Sequence, residues 1–455
     1  MKPITRVLVA NRGEIAVRII RACQELEIET VLAVSEADRE SLSTKMTDRV
    51  VCIGQARPKD SYLVVSAIVA AALGTHCDAI HPGYGFLCEQ PELPEKCAEY
   101  GLIFIGPTAD NIRRMGDKML ARQTAIEVGV PVVPGSTDPI LSSDDALATA
   151  EDLGYPILIK AAGGGGGRGI VIVDSPAEMV ASYDTASAEA RAAFGDDRLY
   201  IEHYVRNARH IEVQIACDHS GNMVHLGERD CSTQRRYQKI IEESPSPVIS
   251  DEVREEMYAA ALAIARHINY ESVGTVEFLW DRDHEKFYFM EMNTRIQVEH
   301  PVTEMVCGVD LVQEQIRLAA CYPLSVSQSD IQVSGHAIEC RINAERPDKG
   351  FSPCPGRITQ WELPSGERIR IDSHCYAGYM VSPYYDSLIA KVITKGSNRE
   401  EAIERMNHAL SNFVVSGVET NIPFHIKLLN HPDFINNQVN TSWVEQILFS
   451  KELAV

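Results

Sequence analysis

EMNTRIQVEH, Glu291–His300, is the stretch whose reading decides how this chain folds. Side chains two apart in a strand share a face, so Glu291, Asn293 and Arg295 project together while Met290 and Met292 point the other way. A polar row of this kind is not a core face. Just upstream, GTVEFLWD and DHEKFYFM are two β-rich runs joined by the charged turn Asp281 to Glu285, the pattern of a hairpin. Glu277 and Glu291 are equidistant from His284 in that turn, so folding about it sets the two carboxylates opposite each other, roughly 4.5 to 5.5 Å apart at their β-carbons. Like charges there repel unless something positive lies between them. Magnesium and manganese take oxygen ligands from one or two carboxylates with substrate phosphate completing the shell, and Asn293 adds a neutral oxygen on the same face. Taken alone, Glu277 and Glu291 fit a solvated acidic strand pair equally well.

The bulk of the chain narrows the choice. At 455 residues it holds two or three packed units, and its 45% hydrophobic content is ample for their cores. A formal net charge of -21 argues against nucleic acid as a partner, so an anionic substrate must be met by local positive charge. The twelve cysteines contain no CxxC pair, which indicates free thiols and no zinc site. The N-terminus lacks an apolar signal region, and no apolar run reaches the ~18 residues a membrane span needs. A cytoplasmic location without membrane contact is therefore expected.

Residues 1–125 alternate strands (Arg6 to Ala10, Val31 to Val34, Ala79 to His81, Ile103 to Ile105) with helices, the rhythm of a parallel, doubly wound sheet. The turn Asn11-Arg12-Gly13 could receive an anion at a helix N-terminus, although it lacks GxGxxG spacing. HPGYGFLCE, from His81, puts a loop at the C-terminal end of a strand, where open α/β sheets bind ligands. Residues 131–204 form a smaller unit centred on YPILIKAAGGGGGRGIVIV. Its glycines, Gly163 to Gly167, join the runs Ile157 to Lys160 and Ile170 to Val173, so they link antiparallel strands and are no Walker loop. Without Cβ atoms such a loop lets main-chain N–H groups approach phosphates and can open and close, with Lys160 supplying positive charge. Farther on, HIEVQI puts His210, Glu212 and Gln214 on one face and Ile211, Val213 and Ile215 on the other. A basic loop follows, ERDCSTQRRYQK, in which Gln234, Arg235, Arg236 and Lys239 crowd together, and by itself it reads as solvated surface. GHAIECRINAE sets Glu339 and Arg341 on one face, a β-rich region covers Arg357 to Thr394, and a helix runs from Arg399 to Phe413.

Taken in order, VANRGEIAVRI, HPGYGFL, MGDK ending at Lys118, KAAGGGGGRG, ERDCSTQRRYQK and EMNTRIQVEHPVTE resemble the biotin carboxylases of the ATP-grasp superfamily, from about residue 3 to about residue 445. The resemblance implies an α/β and α+β ATP-grasp fold. Its parts are an N-terminal doubly wound domain (1–125), a glycine-rich lid (131–204) and a C-terminal ATP-grasp body with the C-terminal region (205–447). It also implies ATP- and bicarbonate-dependent carboxylation of biotin through carboxyphosphate. Carried over by position, Lys118, Lys160, His210 and Gly165, Gly166 and Gly167 resemble phosphate contacts. Glu202, His203 and Val205 resemble the adenine hinge, and Gln234, Tyr237 and Leu279 complete the ATP set. Glu277, Glu291 and Asn293 match ligands for magnesium or manganese. Lys239, Arg295, Gln297 and Val298 resemble the bicarbonate pocket, Glu299 the general base, and Arg341 the group beside the biotin ureido oxygen. Tyr237 departs from the family's usual histidine; it keeps a hydroxyl donor but cannot become cationic near neutral pH. Biotin is expected on a separate carrier protein, with a separate carboxyltransferase and a homodimeric arrangement, because no AMKM-like site is present.

Overall fold

The computed structural model describes residues 3–163 and 169–450. The strands β1 (Arg6–Val9), β2 (Glu29–Ser35), β3 (Arg49–Gly54), β4 (Ala79–His81) and β5 (Ile103–Phe104) make a parallel sheet in the order β3-β2-β1-β4-β5. Strand β1 is central, and its residues Val7 to Val9 are all apolar because both of its faces are covered. Val7 and Val9 enter one core with Ile15 and Ile19 of the helix Gly13–Glu25, while Leu8 enters another with Ile68 and Ile80. The Asn11-Arg12-Gly13 turn holds protein, not an anion: Asn11 Nδ2 donates to the carbonyls of Pro82 at 2.6 Å and Tyr84 at 2.8 Å, and Arg12 is buried against Asp38 at 3.0 Å. Its polar groups tie the HPGYG loop to the first helix.

A second, antiparallel sheet of β6 (Ile157–Ala161), β7 (Ile170–Val173) and β8 (Leu199–His203) has the order β7-β6-β8. Ile157, Ile159 and Ala161 alternate inward and pack on Ala146, Ala150, Met179 and Tyr183 of the helices Ser143–Leu153 and Pro176–Phe194. Lys160 lies on the opposite face, paired in register with Ile170, so β6 and β7 are antiparallel as expected. Gly165, Gly166 and Gly167 fall outside the described residues.

The largest sheet has eight strands. In chain order β9 (Ala208–Cys217), β10 (Met223–Arg235), β11 (Gln238–Ser244), β12 (Ser272–Asp281), β13 (Lys286–Asn293) and β14 (His336–Asn343) lie as β13-β12-β9-β10-β11-β14, followed by Leu388–Gly396 and Ile369–Ser373. Ile211, Val213 and Ile215 of β9 pack with Val276 and Phe278 on the helix Asp251–His267, which leaves His210, Glu212 and Gln214 for the other face. The helix Arg399–Ser411, capped by the Asn398 side chain accepting from Glu401 N–H, builds a further core with Ile338, Ile342 and Val392. It ends two residues before Phe413. Among the described residues no helix is long and apolar enough to cross a membrane.

The N-terminal sheet does not stand apart from this body. Ile19 and Ile20 share one core with Val224, Leu226 and Val273 of the large sheet and with Leu311 and Ile316 of the helix Leu311–Ala319. Ile19→Ala should therefore lower the unfolding free energy by about 2–5 kcal/mol in urea titration, the usual range for emptying a buried aliphatic site. A loss below about 1 kcal/mol would mean that this core does not couple the two sheets.

Candidate active site

The hairpin of β12 and β13 brings Glu277 opposite Glu291, as the spacing about His284 requires. The route differs in one detail. Pairs from Asp281↔Lys286 to Phe278↔Phe289 centre the turn between Asp283 and His284, and a register shift next to Glu277 then inserts one extra residue, Met290. Because of this bulge Met292 enters the core with Phe287 and Phe289, whereas Met290 does not join it, so the two methionines do not share a face. Glu277 also pairs with Glu212 of β9, and Glu212 with Arg229 of β10. Four adjacent strands thus carry a transverse row, Glu291–Glu277–Glu212–Arg229.

Three carboxylates at sheet spacing repel, and the surrounding cations answer them. Lys239 Nζ donates to Glu212 at 2.6 Å, Glu277 at 3.0 Å and Glu299 at 2.6 Å. His210 Nε2 lies 3.2 Å from Glu277, and its Nδ1 meets Gln234 Nε2 at 3.0 Å. Burial disfavours the imidazolium, but Glu277 and Glu212 together outweigh it and His210 is pushed up to about 9. Burial likewise favours neutral Glu277, yet Lys239 and His210 hold its carboxyl well below the usual range. The same partners keep Lys239 well above the ordinary lysine value. The site is a set of charges buried together, each ionised because of the others.

The segment after β13 supplies the reactive edge. Gln297 Nε2 donates to Glu277 at 2.8 Å, and Glu299, at the N-cap of the helix His300–Cys307, is gripped by Lys239 and by Arg341 Nη2 at 2.9 Å. Burial raises Glu299, but Lys239 and Arg341 outweigh it and keep the carboxyl below its ordinary range. Arg341 Nε is anchored on Glu242 at 2.5 Å. Arg295 donates to Asn293 Oδ1 and to Glu89, both at 2.9 Å. Asn293 Nδ2 in turn donates to Glu277 at 2.8 Å, so Glu277, Asn293, Arg295, Gln297, Glu299, Lys239 and Arg341 form one connected cluster. Val298 contributes through its carbonyl, which accepts from Lys391 at 2.7 Å.

The remaining candidates line the side towards the three-stranded sheet. Lys118, first residue of the helix Lys118–Glu127, lies 3.4 Å from Glu291. Lys160 pairs with Glu202, which also accepts from Arg122 at 2.9 Å. His203 N–H donates to Pro134 O at 2.8 Å, and Val205 with Val133, Ala208 and Leu279 makes a small apolar floor beside that hinge. Tyr237 stands apart. With Arg236 it forms the two-residue turn between β10 and β11, both with positive φ (63° and 48°), and its ring is exposed. The expected basic loop is instead the end of β10, a two-residue turn and the start of β11: Gln234 and Lys239 turn inward, Arg235 lies 4.2 Å over the Phe351 ring, and Arg236, Tyr237 and Gln238 are exposed.

Sequence reasoning missed Arg229, which is wholly buried and donates to Glu212 at 2.5 Å, Gln214 at 2.7 Å, Gln297 at 2.7 Å, Thr303 at 2.9 Å and Thr275 at 3.1 Å. The signal was an arginine inside ERDCS, within a run long enough to be one strand. It also missed Arg122, Glu89 and Glu242. Opposed carboxylates on Glu277 and Glu291, the latter part-exposed and, among the described residues, ion-paired only with Lys118 at 3.4 Å, fit a magnesium or manganese ion sharing its shell with phosphate oxygens. Asn293 fits less directly, since its oxygen is taken by Arg295.

Glu242 and Glu339 are cross-strand neighbours, both fully buried, and neither oxygen of Glu339 has a hydrogen-bond partner. Burial pushes Glu339 well above the carboxylate range despite Lys391 and Arg341, with Glu242 and Glu299 adding to the rise; burial sets Glu242 at about 7. A carboxyl whose folded pKa exceeds its unfolded value of about 4.3 costs stability as pH rises from that value to the folded one. Glu339→Gln should match the wild type in urea at about pH 4.5 and exceed it by a growing margin towards about pH 8. A pH-independent difference would show that Glu339 is not held neutral.

Known proteins share this fold. Residues 3–112 match the family model for the biotin carboxylase N-terminal domain, 117–327 the carbamoyl-phosphate synthase L chain ATP-binding domain, and 339–446 the biotin carboxylase C-terminal domain. Biotin carboxylase 1 of Bacillus subtilis is 53% identical over 97% of this chain and 98% of its own. A crystal structure of a Campylobacter jejuni biotin carboxylase complex superposes with a TM-score of 0.95 at 45% identity, covering 98% of this chain and 99% of that one. The biotin carboxylase domain dimer of Hydrogenobacter thermophilus 2-oxoglutarate carboxylase, solved with MgADP, ADP and bicarbonate, gives 0.95 at 46% identity and covers 98% of each chain. The chain belongs to the biotin carboxylase family.

Proposed function

We propose that this protein carboxylates biotin on a separate carrier protein, using ATP and bicarbonate, and hands the product to a separate carboxyltransferase. The observation that carries the reading is the meeting of Lys239, Arg341 and Glu299 within hydrogen-bond distance beside the opposed pair Glu277 and Glu291.

Bicarbonate is a weak nucleophile, and the groups on this edge answer that weakness. Lys239 and Arg295, with the amide of Gln297 and the main chain of Val298, hold the anion in line with the γ-phosphate. Glu299 takes the bicarbonate proton as its oxygen attacks phosphorus and ADP leaves. Glu277 and Glu291, with Asn293 adjoining, would hold a divalent ion, which would neutralise the charge that develops on the phosphoryl oxygens. Lys118, Lys160, His210 and the glycines Gly165 to Gly167 bind the phosphates, while Glu202, His203, Val205 and Leu279 receive the adenine. Gln234 acts through His210, while Tyr237, exposed on its turn, is assigned no contact with the phosphates. The carboxyphosphate so formed splits into carbon dioxide and phosphate. That phosphate removes the ureido proton of biotin, and Arg341 stabilises the enolate oxygen until its nitrogen attacks carbon dioxide. Water exclusion by the lid protects the labile intermediate.

A cytoplasmic homodimer is part of the same reading, in keeping with a relative whose biotin carboxylase domain is a dimer. The test is ATP cleavage with bicarbonate and free biotin varied independently: cleavage should require bicarbonate and rise with biotin. ATP turnover indifferent to bicarbonate removes the proposal. Glu291→Gln, a near-isosteric change at a part-exposed carboxylate, should keep the fold and lose about 100-fold or more in metal-dependent turnover. Turnover equal to the wild type would take Glu291 out of the metal site.

A further inference from the structure

The C-terminal strand Leu388–Gly396 carries a lysine with no exposed side-chain surface, on an element that the chemistry above does not use. Lys391 is the cross-strand partner of Arg341, so the two cations stand side by side on one face of the sheet. Each reaches the same short segment: Arg341 Nη2 donates to the Glu299 carboxylate at 2.9 Å, and Lys391 Nζ donates to the Val298 carbonyl at 2.7 Å. A carbonyl fixes its peptide plane, and the plane that begins at Val298 C=O ends at Glu299 N–H. The ammonium is itself held by Glu14 at 3.1 Å and flanked by Asp372 at 3.9 Å. Glu14 accepts from Tyr84 of the HPGYG loop on the same oxygen, and its second oxygen is buried without a partner. Burying a lysine and a glutamate this completely is costly unless their placement is fixed by other contacts. Here the fixed contact is the backbone next to the general base.

We propose that Lys391 is a positioning residue for carboxylation: together with Glu14 it locks the Val298–Glu299 peptide, so that the first helix and the C-terminal strand jointly aim the base at bicarbonate. The inference rests on Glu299 acting as that base. It assigns Lys391 no contact with substrate. The lock acts on one substrate only, because Lys391 touches the bicarbonate segment and, among the described residues, makes no hydrogen bond or ion pair to those assigned to ATP.

The test is steady-state ATP cleavage by the full-length double variant Lys391→Met/Glu14→Gln, which removes both charges together and so leaves neither buried alone. Its kcat/KM for bicarbonate should fall by about tenfold or more while KM for ATP stays within about twofold, the split expected of a misaimed base. Glu14→Gln alone, which keeps acceptors for Lys391 and Tyr84, should show the same selective loss at about threefold and serves if the double variant does not fold. Equal losses for ATP and bicarbonate, or a bicarbonate dependence like the wild type's, overturn the inference while leaving the functional reading intact. A wild-type protein without bicarbonate-dependent cleavage overturns both.

Discussion

The contact between Arg229 and Glu212 is the constraint around which the rest of the site is arranged. Both side chains are wholly out of water, and a carboxylate in that position is tolerable only if its charge and its lone pairs are all answered. Arg229 answers from one side and Lys239 from the other. Arg229 spends its remaining donors on Gln214, Thr275, Gln297 and Thr303, so one guanidinium joins β9, β12, the segment before Glu299 and the helix His300–Cys307. Removing either partner strands a buried charge, at a cost of about 3–5 kcal/mol, which exceeds what most single core contacts contribute. The row of acids is therefore part of the fold before it is part of any chemistry. Lys239 then stands between three carboxylates, and an arriving anion competes with Glu212, Glu277 and Glu299 for it.

Much of this was legible in the sequence, for unequal reasons. The alternation of HIEVQI assigns His210, Glu212 and Gln214 to a polar face because burial of Ile211, Val213 and Ile215 leaves no other choice. The opposition of Glu277 and Glu291 followed from counting about His284, yet the ladder reaches it only through the bulge at Met290, which symmetry alone does not reveal. A single extra residue is invisible to period-two reasoning until the partner strand is seen. Met290 and Met292 show the cost of that blindness, since the simple alternation gives them one face and the bulge divides them.

Long-range pairing hid the rest. Whether Lys239 is solvated or buried depends on β11 lying between β10 and β14, a fact that no local composition encodes. The turn at Arg236 and Tyr237 explains why the run looked like surface: Arg236, Tyr237 and Gln238 are exposed, and the strands on either side carry Gln234 and Lys239 inward. Arg229 pairs with a residue seventeen positions earlier and Arg12 with one twenty-six later, so each looks like an ordinary charged residue until the sheets form. The Asn11-Arg12-Gly13 turn makes the same point in reverse, having the outward form of an anion site while its polar groups are spent on Pro82, Tyr84 and Asp38.

Arg341 shows why neutral acids belong in such a place. Its guanidinium meets Glu242 and Glu299, and Glu339 lies next to Glu242 across the strands. Were Glu339 ionised as well, three carboxylates would compete for Arg341, and attraction towards the sheet interior would draw the guanidinium away from the cleft. Burial pushes the Glu339 carboxyl well above the usual range, which leaves Arg341 balanced between Glu242 and Glu299. Tethered by Nε to Glu242, it keeps Nη2 for Glu299, and in the reaction proposed above a proton taken up by Glu299 would release that donor towards the negative oxygen forming beside it. Protonation of the proposed base and stabilisation of the later oxyanion would thereby be linked through one side chain, without a conformational change larger than the exchange of one hydrogen bond.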